Sequence, residues 1–385
     1  MAKLIAPRIS SDAKAVPPLI VVGRLSQVSG LGAAARACHD ALAAGNMPVY
    51  GIDITNKPKR KQIFANFEWR DGRELTGAGT VLLHVPGPLV PLVLIRLGRK
   101  FVRGKRIIAH WFWELQELPQ SWSSGLSFVH EVFVNTSFVG HAVHTLSNRL
   151  PVHIVAYPLA APATAGDNTW RVNEVFTVLF VFNVLSNFTR KNPCAAITAF
   201  RRAFGDDEQA RLIIKHANSA YWPTSIELMR QAAVDARNIE FLGDTLDEAG
   251  MNELYERADV VLCLHRSEGL GLVIAEAMLR GIPVVATNWS GNTDFLTSET
   301  GIPIGYDLIL VVDPQGDYVG KSLVWADPHI DEAVLALRAL RADPHLRSKL
   351  GLAGAARAAD FFDAARYVKR VRSLMEIAND DRVHK

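Results

Sequence analysis

A chain of 385 residues is long enough for two domains with a core each, and 49% apolar with 21% charged residues is the make-up of an ordinary globular protein. The formal net charge of +3 excludes a globally basic nucleic-acid binder. The longest apolar runs, near 85–95 and 175–185, are too short to cross a bilayer, and the N-terminal MAKLIAPRISS lacks the apolar core of a signal peptide.

Residues 18–22 read as a first strand, with Gly30-Leu31-Gly32 in a polar loop, a helix over 33–44 and a second strand over 49–54. Gly30, Gly32 and Ala35 fit G-x-G-x-x-A, with Asp53 about twenty residues on, so an NAD-dependent oxidoreductase is an alternative. Against it, seven residues separate the strand from Gly30, whereas a dinucleotide turn follows its strand directly. Further strands are predicted over 80–84, 106–110, 131–134 and 152–155. Cations cluster in this half: Lys57, Lys59, Arg60 and Lys61 form one run, and Arg96, Arg99, Lys100, Arg103, Lys105 and Arg106 another. Together they suggest an anionic membrane surface or a lipid diphosphate as partner.

Residues 160–167, AAPATAGD, read as a linker. A second α/β series follows, with strands over 176–182, 212–215, 239–242, 260–264 and 283–286. Asn192-Pro193 opens a helix, and 331–340, 345–359 and 367–377 are helical. Cys38, Cys194 and Cys263 are far apart in apolar contexts and read as reduced core residues of a cytoplasmic protein. No C-x-x-C or Cys/His cluster is visible, so no metal site is expected.

The richest stretch runs from 263 to 296. A buried strand leads through a polar turn into Gly269-Leu270-Gly271 and then a helix ending near Gly281. A helix that opens on glycines points free N–H groups and a positive dipole end above the sheet, which suits a diphosphate. Glu276 lies on the face where that helix begins and can accept from ribose hydroxyls. Glu268, eight residues earlier, can reach a group beyond the phosphates.

S-E-G-x-G-L around Glu268 and E-A-M-x-x-G-x-P-V around Glu276 resemble the E-x7-E signature of retaining GT-B glycosyltransferases, the group 1 family. The resemblance implies an α/β fold of two Rossmann-like domains facing each other across a cleft. Its domains would be an acceptor-binding one over 1–165 and a nucleotide-sugar-binding one over 166–360. A C-terminal helix over 361–385 would cross back to the first domain.

The resemblance also implies roles. Lys191 and Arg190 would face the leaving diphosphate, Glu268 the reacting sugar, and His110, at a strand end, the donor sugar. Glu276, Gly269, Leu270, Gly271, Leu272, Val273, Gly243, Arg266, Gly30 and Gly32 would line the donor site. His84, Glu114 and Trp113 would serve the acceptor. The Gly243-Asp244 turn would run past the base.

WFWEL with a following proline and tryptophan, then EVFVNTSFV, resembles transferases that build bacterial exopolysaccharide. That resemblance implies GDP-mannose as donor and a polyprenyl-diphosphate-linked glycan as acceptor, at the inner face of the cytoplasmic membrane. The chain has no D-x-D, which fits a metal-independent site with no cofactor beyond the nucleotide sugar as co-substrate. The other alternative is an inactive sugar-nucleotide-binding protein, which would be expected to lose Glu268, Glu276 or Lys191; all three are present.

Overall fold

The computed structural model describes residues 5–27, 29–55, 66–161, 174–234, 236–243, 245–318, 320 and 322–380. Lys57, Lys59, Arg60, Lys61, Asp244 and most of the 160–167 segment lie outside these residues. The chain divides into two compact units. The first comprises Met1–Trp113, Glu117–Leu159 and Phe362–Lys385; the second comprises Glu114–Gln116 and Ala160–Phe361.

The first unit is built on six parallel strands: β1 (Leu19–Gly23), β2 (Val49–Asp53), β3 (Gly79–Leu83), β4 (Lys105–Trp111), β5 (Glu131–Val134) and β6 (Val152–Ile154), in the order β2-β1-β3-β4-β5-β6. β1 and β3 are buried at every position, as parallel strands covered on both faces must be. The Gly30–Ala44 helix begins three residues earlier than the sequence suggests. Ser29 caps it by accepting from the Gly32 amide, and a Cβ on Gly32 would lie 2.4 Å from the Gln27 carbonyl oxygen. The glycines therefore form the first turn, not a loop. Pro91, which interrupts an apolar run, stands in the first turn of the Val90–Leu97 helix, where its missing N–H costs nothing. The Ala364–Asp380 helix lies against the Gly30–Ala44 helix, with Val368 meeting Gly45 and Arg372 donating to the Gly45 carbonyl.

The second cationic run divides by environment. Arg96, Arg99, Lys100 and Arg103 are exposed. Lys105 is fully buried, its ammonium donating to the carbonyls of Leu75 (3.0 Å) and Gly77 (2.8 Å), and Arg106 pairs with Glu131 at 2.7 Å. Trp111 and Trp122 are core residues in edge-to-face contact, with ring centroids 5.3 Å apart.

The second unit repeats the architecture. Its strands are β7 (Phe176–Asn183), β8 (Ala210–Ala217), β9 (Ile239–Leu242), β10 (Val260–Cys263), β11 (Val284–Thr287) and β12 (Ile302–Ile304), all parallel in the order β12-β11-β10-β7-β8-β9. Phe180, Phe200, Leu212, Val260 and Leu337 belong to one continuous core. An antiparallel hairpin, β13 (Tyr306–Leu310) with β14 (Val324–Pro328), is an addition the sequence pattern does not announce, because β13 exposes Leu308, Ile309 and Leu310. Strand order reverses at β7, which lies between β10 and β8. The carboxyl ends of β7 and β10 are thus neighbours, the usual place for a ligand in such sheets. Among the described residues no helix is long and apolar enough to cross a membrane.

Candidate active site

The loop after β7 carries Arg190 and Lys191; the loop after β10 carries Arg266, Ser267 and Glu268. Adjacency of the two strands brings these residues together across 77 positions of sequence. Lys191 Nζ donates to Glu268 Oε1, and Arg190 Nη1 lies 3.2 Å from the same oxygen. Arg190 also donates to the carbonyls of Ser267 (2.7 Å) and Ser186 (2.6 Å). It is 3% exposed and Glu268 6%, so this is a buried charge group with one carboxylate and two cations.

Burial alone would raise the Glu268 carboxyl, but Lys191 and Arg190 outweigh it and hold the group at about 2. The sign then follows for stability. A depressed folded value means the stabilisation is complete above the ordinary carboxyl range and is lost as pH falls. The stability difference between wild type and Glu268→Gln is therefore expected to shrink between pH 4.5 and about 2. Urea unfolding at a series of pH values checks this; a difference that stays constant over that window would mean Glu268 is not held by its cations.

The short Phe188–Lys191 helix is shaped by Asn187, which adopts φ 71° and whose side-chain oxygen accepts from the Arg190 amide. Asn187 Nδ2 in turn donates to Asp313 (2.8 Å) and Asp317 (3.0 Å), and the Phe188 amide to Gln315. Asn192, in the left-handed conformation, donates to the Leu264 carbonyl and ties the two loops together. Arg266 is engaged locally through both terminal nitrogens: it donates to the Thr189 carbonyl and to Asp327 and lies over Trp325, so it braces the loop.

The backbone of Glu268 is bracketed by the turn after β11. Its amide donates to Ser290 Oγ (2.7 Å), and its carbonyl accepts from the Gly291 amide (2.8 Å). A Cβ on Gly291 would lie 2.2 Å from the Gly269 oxygen, so no other residue allows this approach. Gly271, at φ 91°, turns the chain into the Leu272–Leu279 helix with no side-chain cap, which leaves first-turn amides for a ligand. Leu270 is buried, and Leu272 and Val273 are half-buried. Glu276 lies on this helix and accepts from Tyr255 OH (2.9 Å); burial raises its carboxyl, opposed by that hydrogen bond and by Arg280.

Glu114 belongs with the second unit. Its carbonyl accepts from Ser267 Oγ and its carboxylate from Tyr318 OH. Gly243 follows β9, where a Cβ would press on the His216 ring at 3.0 Å. Gly30, Gly32, His84, His110 and Trp113 all belong to the first unit. Trp113 packs on Trp122 and donates to the Glu117 carbonyl. Asp53, the residue a dinucleotide ribose would need, already accepts from Ser26 and from both the hydroxyl and the amide of Thr55. Tyr255, Asn187, Asp313, Gln315 and Tyr318 were not legible in the sequence, because each acts through a partner far along the chain.

Residues 176–316 match the family model described as glycosyl transferases group 1. The alpha-1,3/1,6-mannosyltransferase alg-2 of Neurospora crassa is 28% identical over 235 residues, 50% of this chain and 48% of that one. The chain thus spans about half the length of the curated relative it matches. Sucrose-phosphate synthase from Thermosynechococcus elongatus superposes with a TM-score of 0.66 at 16% identity, over 94% of this chain and 98% of that one. HepE from Anabaena, solved with UDP and glucose, gives 0.62 at 14% identity, over 93% and 99%. The fold is GT-B.

Proposed function

From a chain that carries a glycosyl transferases group 1 domain on a GT-B fold, we propose a retaining, metal-independent glycosyltransferase that takes a hexose from a nucleotide diphosphate sugar. The observation that carries this reading is the meeting of Arg190, Lys191 and Glu268 beside a glycine-opened helix start. Negative charge grows on the diphosphate as the glycosidic bond breaks. Lys191, Arg190 and the first-turn amides after Gly271 are donors suited to that charge. Arg190 Nε, buried and without a partner among the described residues, is a further donor. Glu268, ionised throughout the neutral range, accepts from sugar hydroxyls and does not donate a proton.

Mannose from GDP-mannose is the proposed donor, supported by the name of the Neurospora relative. HepE was solved with UDP and glucose, which favours UDP-glucose as the rival donor. Calorimetric titration with UDP, GDP, ADP and CDP tests both. GDP is expected to bind most tightly; preference for UDP would overturn mannose from GDP-mannose, and binding of none would overturn the transferase reading. With the preferred nucleotide, Glu276→Ala is expected to weaken binding by roughly 1–3 kcal/mol, the cost of losing hydrogen bonds to a carboxylate. Unchanged affinity would remove Glu276 from the ribose.

The acceptor we propose is a glycan on a lipid diphosphate, reached by peripheral docking of the first unit on an anionic membrane. Arg96, Arg99, Lys100 and Arg103 are exposed, with the exposed Leu89 and Leu92 on the same stretch. Each cation near an anionic surface contributes about 1 kcal/mol, within a Debye length of roughly 8–10 Å. The protein is expected to sediment with anionic vesicles at low salt, to be released by salt, and to stay in the supernatant when Arg99, Lys100 and Arg103 are changed to glutamate. Wild type in the supernatant at low salt would leave a soluble acceptor as the better reading.

A further inference from the structure

We propose that Cys38, His84 and His110 form a binding site for a divalent ion of the zinc class inside the first unit. The three come from separate elements: Cys38 from the Gly30–Ala44 helix, His84 from the residue after β3, and His110 from β4. All three are buried, and one ligand atom from each lies within 4.8 Å of the others. The imidazole rings stand 4.8 Å apart.

The hydrogen bonds around the cluster assign its lone pairs. Asn135 Oδ1 accepts from the Tyr157 amide at 3.1 Å, so that atom is the oxygen of the side chain. His110 Nε2 lies 3.0 Å from the same oxygen and must carry the proton. Its Nδ1 is then left with a lone pair. This is the arrangement in which a carbonyl fixes the tautomer of a metal-ligating histidine. His84 has no partner at either ring nitrogen although it is 1% exposed. A neutral imidazole always carries one donor and one acceptor, and leaving both unmade in a core is costly. Coordination uses the acceptor. Tyr367 turns its buried hydroxyl toward the Cys38 thiol, which leaves the fourth position to that group or to water.

One thiol and two imidazoles without a carboxylate select zinc, cobalt or copper over magnesium or calcium. Ligand atoms around a tetrahedral zinc stand about 3.5 Å apart, so side-chain rotation would draw these in by about an ångström. On binding, the sulfur–metal bond forms and the thiol proton passes to solvent, so affinity rises with pH. The ion would fasten the helix to the ends of two central strands. It would also occupy the remaining ring nitrogen of His110, which is then unable to reach a donor sugar. Nothing in this inference depends on the glycosyl-transfer reading, since the ligands lie wholly within the first unit.

The test is metal content and cobalt spectroscopy of the untagged full chain, prepared without chelator. Wild type is expected to retain stoichiometric zinc, and cobalt(II) is expected to give a thiolate-to-cobalt charge-transfer band. Cys38→Ser, nearly isosteric and readily checked for folding by circular dichroism, is expected to lose that band. Asn135→Ala is expected to weaken zinc binding by about 10- to 100-fold in competition with a chelating dye. No zinc and no band in wild type, or a band that survives Cys38→Ser, would overturn the proposal.

Discussion

Lys191→Ala is expected to cut turnover at saturating donor by roughly 100- to 1,000-fold, the usual loss when a donor aimed at developing negative charge is removed. The effect falls on the rate because the cation is needed most when the glycosidic bond has begun to break and the diphosphate gathers charge. Folding is expected to survive. Lys191 is partly exposed, and Glu268 keeps Arg190 as a counter-ion in the variant. Arginine at 191 would keep the charge but must place a wider, planar head where an ammonium now fits, so partial recovery is expected. Steady-state kinetics beside urea unfolding checks both halves. An unaltered rate would sink Lys191, and a lost fold would mean the ion pair is chiefly structural.

Arg190→Ala is expected to act on stability first, by about 3–5 kcal/mol, the cost of removing one partner from a buried charged group. Three losses coincide. Glu268 loses one of its two cations inside the protein, and the carbonyls of Ser186 and Ser267 lose their donors. Lysine at 190 restores charge but cannot fork to two carbonyls and a carboxylate, so it is expected to recover only part. A shift in the urea midpoint with unchanged slope is the signature. A loss below about 1 kcal/mol would show that the guanidinium contributes little to its loop. The two neighbouring cations are thus expected to separate: one variant folded and slow, the other unstable.

The sequence alone was enough for the parallel strands, since runs such as LIVVG and VVLC can only be buried on both faces, and for the Glu268–Glu276 stretch, because glycines, glutamates and helix period all lie within thirty residues. It was enough to point at Arg190 and Lys191 as loop cations beside a proline-opened helix. The tertiary structure decided what those groups touch. Glu268 meets both cations because β7 and β10 are neighbours in the sheet, and strand order is not written in any local pattern. Asn187 holds the Arg190 turn through Asp313 and Asp317, more than a hundred residues on. Lys105 and Arg106 read as surface charge in the sequence, yet carbonyls at 75 and 77 and Glu131 claim them. Cys38, His84 and His110 show no ligand spacing along the chain, and only the packing of a helix on two strand ends gathers them. The division has one physical reason. Burial and helix period are set by neighbours within a turn or two, whereas a side chain's partner is set by which strands lie side by side.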